Sequence, residues 1–370
     1  MDNTVINPWL PRLARVCVLA TLALILLGAI VTTSDSGMAI PTAPDVNGIA
    51  INPPGWTDSF PTFIEHSHRL FAITVATLTA ILCAWLWWEW LGFAIAIAVI
   101  GIAGPLGNAL GMGGNALAHF RYWPAAVVFV TIAIVRAKKC GQRITVNHWL
   151  VLVAFVAVCA QAVMGSLRVS LETAGNIAAA TNLRTFHGVF AQAFLALMVV
   201  ISARLCPDCR ELDKRPPHPK LSKFHRMAII AQILYFAQLA CGAYLRHRHL
   251  GLLIPTWPTA DGGLLPAVWT HANGIHFLHT RVLPFLLIGH IIGMCIGIVK
   301  RVTDEPTLKY PAKALLALIV VQFILGLIVI WSGRQPHITN MHVFTGALIC
   351  ALIAFIAART CRPCAQCAGA

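Results

Sequence analysis

The stretch PTFIEHSHRLFAI, Pro61 to Ile73, puts a glutamate, two histidines and an arginine at the head of an apolar run that continues through Trp85 without further charge. Glu65 and His68 are three residues apart, so on a helix they share one face. Three more histidines, His187, His279 and His342, stand in similarly apolar surroundings. Neutral imidazole is a good iron ligand, and two imidazoles on facing helices suit the axial positions of a haem. A carboxylate beside one such pair could take or give protons, or stabilise developing positive charge. The plainer reading is that each histidine hydrogen-bonds a neighbouring helix and that Glu65 pairs with Arg69 at i+4. Zinc hydrolysis would use H-E-x-x-H, which is absent. A di-iron centre would use two E-x-x-H motifs and further glutamates, whereas the second motif here is His276-x-x-His279. His66 points elsewhere on its helix and reads as a bystander.

The elements that must position these residues are membrane spans. The chain has 370 residues, 58% hydrophobic and 11% charged, with a mean hydropathy of +0.76. That is too apolar for a soluble domain, and runs of about 20 apolar residues recur throughout. Ten-residue alternating strands are not visible, which argues against a β-barrel. The apolar periodicity predicts helices over 12–32, 62–86, 91–107, 122–137, 147–168, 184–204, 224–245, 273–298, 314–331 and 339–358. No cleavable signal peptide is apparent, and the first run reads as a retained helix. The net charge of +14 lies in residues that bound the apolar runs, so it reports topology rather than nucleic-acid binding. With both termini in the cytoplasm, 19 of the 27 lysines and arginines fall on the inner side. The rest are all arginine: Arg69, Arg121, Arg168, Arg184, Arg246, Arg248, Arg281 and Arg334. Arginine can grip carboxylates bidentately, which would suit a dianionic ligand near the outer face.

The chain also carries an internal repeat. GAIVTTSDSGMAIPTAP, Gly28 to Pro44, aligns without gaps to GAYLRHRHLGLLIPTWP, Gly242 to Pro258. QAVMG (Gln161–Gly165) matches QFILG (Gln322–Gly326), and IEHSHR (Ile64–Arg69) aligns with IHFLHT (Ile275–Thr280). His68 then corresponds to His279, and His187 to His342. The expected fold is an all-α polytopic membrane protein of two pseudo-symmetric four-helix bundles, eight core transmembrane helices in all, plus an inserted hairpin over 91–137. The expected domains are an N-terminal bundle over 1–205, a cytoplasmic linker over 206–223, a C-terminal bundle over 224–360 and a Cys-rich cytoplasmic tail over 361–370. The repeat sets His276 against Glu65, so the halves share the histidine pair and differ in the acid.

At Gly28–Pro41, Glu65-x-x-His68-Arg69, His187, His279-Thr280-Arg281 and His342, the sequence resembles the haem A synthase family. The resemblance covers nearly all of the chain outside 91–137 and the tail. It implies oxidation of the C8 methyl of haem O to a formyl group, giving haem A for terminal oxidase assembly. It also implies a haem b cofactor on His279 and His342 and a substrate haem O on His68 and His187, with Glu65 needed for turnover. Arg69 and Arg184 on the substrate side, and Arg246, Arg248 and Arg281 on the haem b side, would hold propionates. The implied partners are a haem O synthase and oxidase assembly factors, and the implied place is the cell inner (plasma) membrane. From the residues alone two other readings stay open: a two-haem membrane cytochrome b fed by quinol, and a non-catalytic haem carrier.

This sequence departs from the family pattern at several points. Many bacterial relatives have cysteine pairs in the outer loops, but none of the twelve cysteines here lies in 32–61 or 246–272. Ile40 and Ile254 precede the repeat prolines instead, which excludes a disulfide relay there. Thr280 separates His279 from Arg281, where relatives often have His-Arg directly. Cys206-x-x-Cys209 and Cys361-x-x-Cys364-x-x-Cys367 lie on the inner side, where thiols stay reduced, and have the spacing of a structural zinc site.

Overall fold

The computed structural model describes residues 8–41, 54–87, 145–207, 220–302 and 305–361. They form eight helices long and apolar enough to cross a membrane, and no strand. We number them α1 (Trp9–Thr33), α2 (Phe60–Leu86), α3 (Val146–Thr173), α4 (Ile177–Leu205), α5 (Leu221–His247), α6 (His271–Arg301), α7 (Pro306–Trp331) and α8 (Pro336–Thr360). The protein is thus an all-helical, multi-pass membrane protein. The helices expected over 91–107 and 122–137 lie outside the described residues, as do Arg121 and most of the Cys-rich tail.

Helix ends follow local chemistry more than hydropathy. The Ser59 hydroxyl accepts the Thr62 N–H and starts α2, with Pro61 in the first turn, where no N–H is needed. Thr270 caps α6 in the same way through Asn273. Two starts lie well before the apolar runs. α4 begins at Ile177 rather than 184, because Thr181, Asn182 and Arg184 are helical though polar. α7 begins at Pro306 rather than 314 and carries Pro311 inside it. Inside a helix the lipid offers no partner for backbone groups, so even a polar first turn prefers the ladder.

Contacts divide the chain into two compact units, Met1–His187 and Gly188–Ala370, with the division inside α4. In the first unit α1 packs on α2, and α2 on α3. Trp87, fully buried at the end of α2, donates its indole N–H to the His148 carbonyl of α3. In the second unit α5, α6, α7 and α8 close a ring in which each helix touches both neighbours. Its core holds Phe224, Ile291, Met294, Ile298, Leu308, Leu315, Ile353 and Ile356. Lipid is as apolar as these side chains, so packing contacts and buried hydrogen bonds, not water exclusion, hold the ring. Within that core, Tyr235 donates to Gln192.

The turns that leave α1 and α5 correspond residue by residue. Asp35 (φ 49°) and His249 (φ 57°), aligned in the repeat, both take the left-handed conformation. The next N–H closes the same bond in each turn: Ser36 to the Val31 carbonyl (3.0 Å) and Leu250 to the Leu245 carbonyl (2.8 Å). These are Schellman closures, which satisfy the last carbonyls of each helix. Ile40 and Ile254, one repeat apart, are both buried.

Candidate functional site

At one end of the first unit the loop after α1 is tied down by side chains of α2 and α3. The Ile40 N–H donates to Glu65 Oε2 at 2.8 Å. Arg69 donates to Glu65 Oε1 at 2.8 Å and to the Ile40 carbonyl at 2.8 Å. Arg168 donates to the Gly37 carbonyl at 2.6 Å, and Thr173 to the Pro41 carbonyl at 3.2 Å. Glu65 is therefore ion-paired as its spacing allows, and each of its carboxylate oxygens has a donor. Its side chain is only 3% exposed. Charge-assisted bonds of this kind are short and strong, so they hold the carboxylate in a single orientation. Arg184 bonds Thr181 and lies 3.7 Å from Glu172, which also pairs with Arg168. His66 is buried against the Trp56 ring, with ring centroids 4.7 Å apart.

The second unit ties its loop with inverted polarity. His276, at the repeat position of Glu65, donates from Nε2 to the Gly251 carbonyl at 3.2 Å. Arg281 donates to the carbonyls of Thr256 (2.5 Å) and Thr259 (2.6 Å). Arg334 packs along Gly251, as Arg168 does against the aligned Gly37. Arg248 lies over the Tyr244 ring at 4.1 Å. Arg246 is within charge range of both His342 and Arg334.

α6 makes one π-helical turn, Leu278–Val282, around His279. Pro284 has no N–H to give the Thr280 carbonyl, which loosens the ladder at this turn. A π turn absorbs one extra residue without twisting the rest of the helix. The extra residue matches Thr280, the one that separates His279 from Arg281. With it absorbed, Arg281 reaches loop carbonyls of its own unit, as Arg69 does in the first.

The four histidines stand one turn inward of these ties. Each packs against a glycine of the preceding helix. A Cβ added at Gly28 would lie 3.1 Å from His68 Cε1; at Gly165, 3.6 Å from His187 Cε1; at Gly242, 2.6 Å from His279 Cε1; and at Gly326, 3.3 Å from His342 Cε1. His68 and His187 are close enough for their charges to interact, and so are His279 and His342. His279 Nδ1 lies 3.0 Å from the Gln238 carbonyl and donates to it, which leaves Nε2 as the bare nitrogen. The Nδ1 atoms of His68, His187 and His342 are buried with no hydrogen-bond partner.

Three glutamines beside these rings were not anticipated as part of the site. Gln161 donates to the His187 carbonyl and Gln238 to the His279 carbonyl, each at 2.9 Å. Gln322 puts its amide 3.3 Å from His342 Nε2. Each lies four residues before the glycine under the same ring. Gln-x-x-x-Gly was the available signal, and two of its three copies had been read only as marks of the repeat. Among the described residues no cluster of three or more His, Cys, Asp or Glu side chains could hold a metal ion by itself. Of the cysteines with metal-ligand spacing, Cys209, Cys364 and Cys367 lie outside the described residues, and Cys206 and Cys361 are unbridged.

Eight apolar spans among the described residues, with a pair of glycine-cradled, half-buried imidazoles in each unit, define a polytopic membrane protein built around histidine pairs. The chain belongs to the COX15-CtaA family of cytochrome oxidase assembly proteins, whose model matches residues 118–354. It is similar to a protein named heme A synthase from Bradyrhizobium sp. (strain ORS 278), 23% identical over 94% of this chain and 89% of that protein. It is also similar to a heme A synthase from Geobacillus thermodenitrificans, 22% identical over 68% of this chain and 78% of that protein. A third, from Alkalihalophilus pseudofirmus, is 23% identical over 46% of this chain, and the chain spans about half of that relative's length (56%).

Proposed function

We propose that this protein is a haem A synthase, an oxidoreductase that converts the C8 methyl of haem O to a formyl group for terminal oxidase assembly. The observation that carries the reading is an asymmetry. Two like pairs of cradled imidazoles are present, and only one has a buried carboxylate, Glu65, one turn from a ring, where the other has His276. An electron wire would have no need of that difference.

The residues fit a haem in each unit. Two imidazoles lie within charge range of each other in each unit, a glycine beneath each ring leaves room, and three Nδ1 atoms lack any other partner. In this reading His68 and His187 hold haem O, and His279 and His342 hold a haem b. When bound, the iron porphyrins supply the electron-transfer chemistry. The chain's own residues orient the methyl and manage protons. Each Glu65 oxygen accepts one hydrogen bond and keeps a second lone pair for a proton. Protonating Oε1 would weaken its bond to Arg69, so proton uptake is coupled to the loop that Ile40 anchors. Arg69 and Arg281 already use donors on loop carbonyls. Propionate contacts then fall mainly to Arg184, one turn before His187, and to Arg246 and Arg248. The protein lies in the plasma membrane with both termini in the cytoplasm and works beside a haem O synthase and oxidase assembly factors.

The test is coexpression with a haem O synthase in membranes that lack this activity, followed by chromatography of extracted haems. Haem A or hydroxylated haem O is the expected product. Haem O left unchanged beside bound haem b would overturn the reading.

A further inference from the structure

We propose that Gln161, Gln238 and Gln322 are positioning residues, each locking one haem-ligating histidine from a Gln-x-x-x-Gly stretch of the preceding helix, and that Leu24 leaves His68 the ligand that lets go. This rests on the function proposed above.

The three cradles with a glutamine share one construction. Gln161 and Gly165 on α3 meet His187, Gln238 and Gly242 on α5 meet His279, and Gln322 and Gly326 on α7 meet His342. Residues four apart lie on one helix face, so the amide sits one turn from the glycine that seats the ring. In two cradles the amide bonds the histidine's own carbonyl, fixing the depth of that residue against its neighbour. In the third it touches the ring. His279 is held twice over, because its Nδ1 also donates to the Gln238 carbonyl.

The fourth cradle breaks the pattern. Gly28 seats His68, but the residue four before it is Leu24, aligned in the repeat with Gln238. Leucine has no amide to offer. His68 Nδ1, like that of His187 and His342, has no hydrogen-bond partner, so His68 has no polar contact at ring or carbonyl. His68 is thus fastened only by packing, while the other three also have a polar contact across helices. A resident cofactor needs both its ligands held. A haem that enters as substrate and leaves as product needs one ligand that yields. His68 lies one turn from Glu65 on α2, so the side that opens is the side with the carboxylate.

The experiment uses the full-length protein purified with its haems after coexpression with a haem O synthase. Extracted haem type separates the two units. The readouts are haem loss to apomyoglobin, carbon monoxide binding by the reduced protein, and the low-spin electron paramagnetic resonance signal. Gln238→Met and Gln322→Met keep side-chain length but remove the donor. Each should speed haem b loss about tenfold, make part of it bind carbon monoxide and shift its low-spin signal. Gln161→Met should do the same for haem O or haem A. Leu24→Gln should slow loss of that haem about three- to tenfold and lower its carbon monoxide binding, as one added hydrogen bond would. If all four variants keep wild-type loss rates, carbon monoxide binding and signals with both haems present, the proposal is wrong. Wild-type protein that purifies without haem would instead refute the underlying function. Should the methionine variants fail to fold, Leu24→Gln decides alone: an unchanged loss rate overturns the proposal.

Discussion

Gly242→Ala should expel the haem b proposed for the second unit, and the neighbouring glycines set the scale. Carbon atoms in good contact lie about 3.5–4.0 Å apart. At Gly242 the new methyl would sit 2.6 Å from His279 Cε1, 3.2 Å from Nε2 and 3.3 Å from Nδ1. The ring cannot slide away without losing the 3.0 Å bond to the Gln238 carbonyl. Overpacking of this kind costs about 1–3 kcal/mol, and the overlap argues for the upper end. Alanine in place of glycine returns about 1 kcal/mol of helix stability. The balance is a loss of about 2 kcal/mol, or roughly 30-fold in retention of a ligand on His279. Gly165→Ala is the control, since its methyl would meet His187 at an ordinary 3.6 Å. Gly28→Ala (3.1 Å) and Gly326→Ala (3.3 Å) should fall between. Gly28→Ala should be the milder of the two, despite its closer approach, because His68 has no hydrogen bond to break. The assay is the pyridine haemochrome spectrum of each purified protein, with thermal melting as a check on folding. Equal haem b in Gly242→Ala and wild type, or equal loss from Gly165→Ala and Gly242→Ala, would show that these glycines do not seat the rings.

Glu65→Gln should cut haem A formation about 100-fold or more, as expected for loss of a general base, while haem b content stays unchanged; an active variant would remove Glu65 from the chemistry. Arg281→Gln should release the loop carbonyls of Thr256 and Thr259, each bond to the charged group being worth about 1.5–3 kcal/mol, and limited proteolysis should then cut 249–270 faster. Unaltered cleavage would contradict the tie. Deleting Thr280 should be tolerated, with haem b retained, because the π turn can revert to regular helix, whereas deleting Ile288 should rotate half of α6 and abolish haem binding. Equal outcomes for the two deletions would argue against an absorbed insertion.

The eight spans, their near-helical lengths and the repeat could be read from the linear chain, because lipid imposes one rule on every segment: backbone groups must be satisfied within the helix. The apolar runs obey it visibly. The repeat aligned the stretches after α1 and α5, but the matching left-handed turns at Asp35 and His249 emerged only in the structure. The Glu65–Arg69 pair followed from i+4 spacing. Helix starts at Ile177 and Pro306 were missed because hydropathy drops before the ladder does.

What faces what across helices was decided only by the tertiary structure. In water an apolar stripe marks the buried face, but a lipid-facing side is equally apolar, so periodicity gives no rotation. Hence Gln161 and Gln322 could be seen only as repeat marks, and Gln238 not at all. The outer arginines read as ligand clamps, yet Arg69, Arg168 and Arg281 were found holding loop carbonyls. The π turn that reconciles Thr280 with the first unit depends on a missing N–H at Pro284 and on a loop that must be reached in space. Residue types set which chemistry was available, and the depth and rotation of packed helices chose which groups would meet.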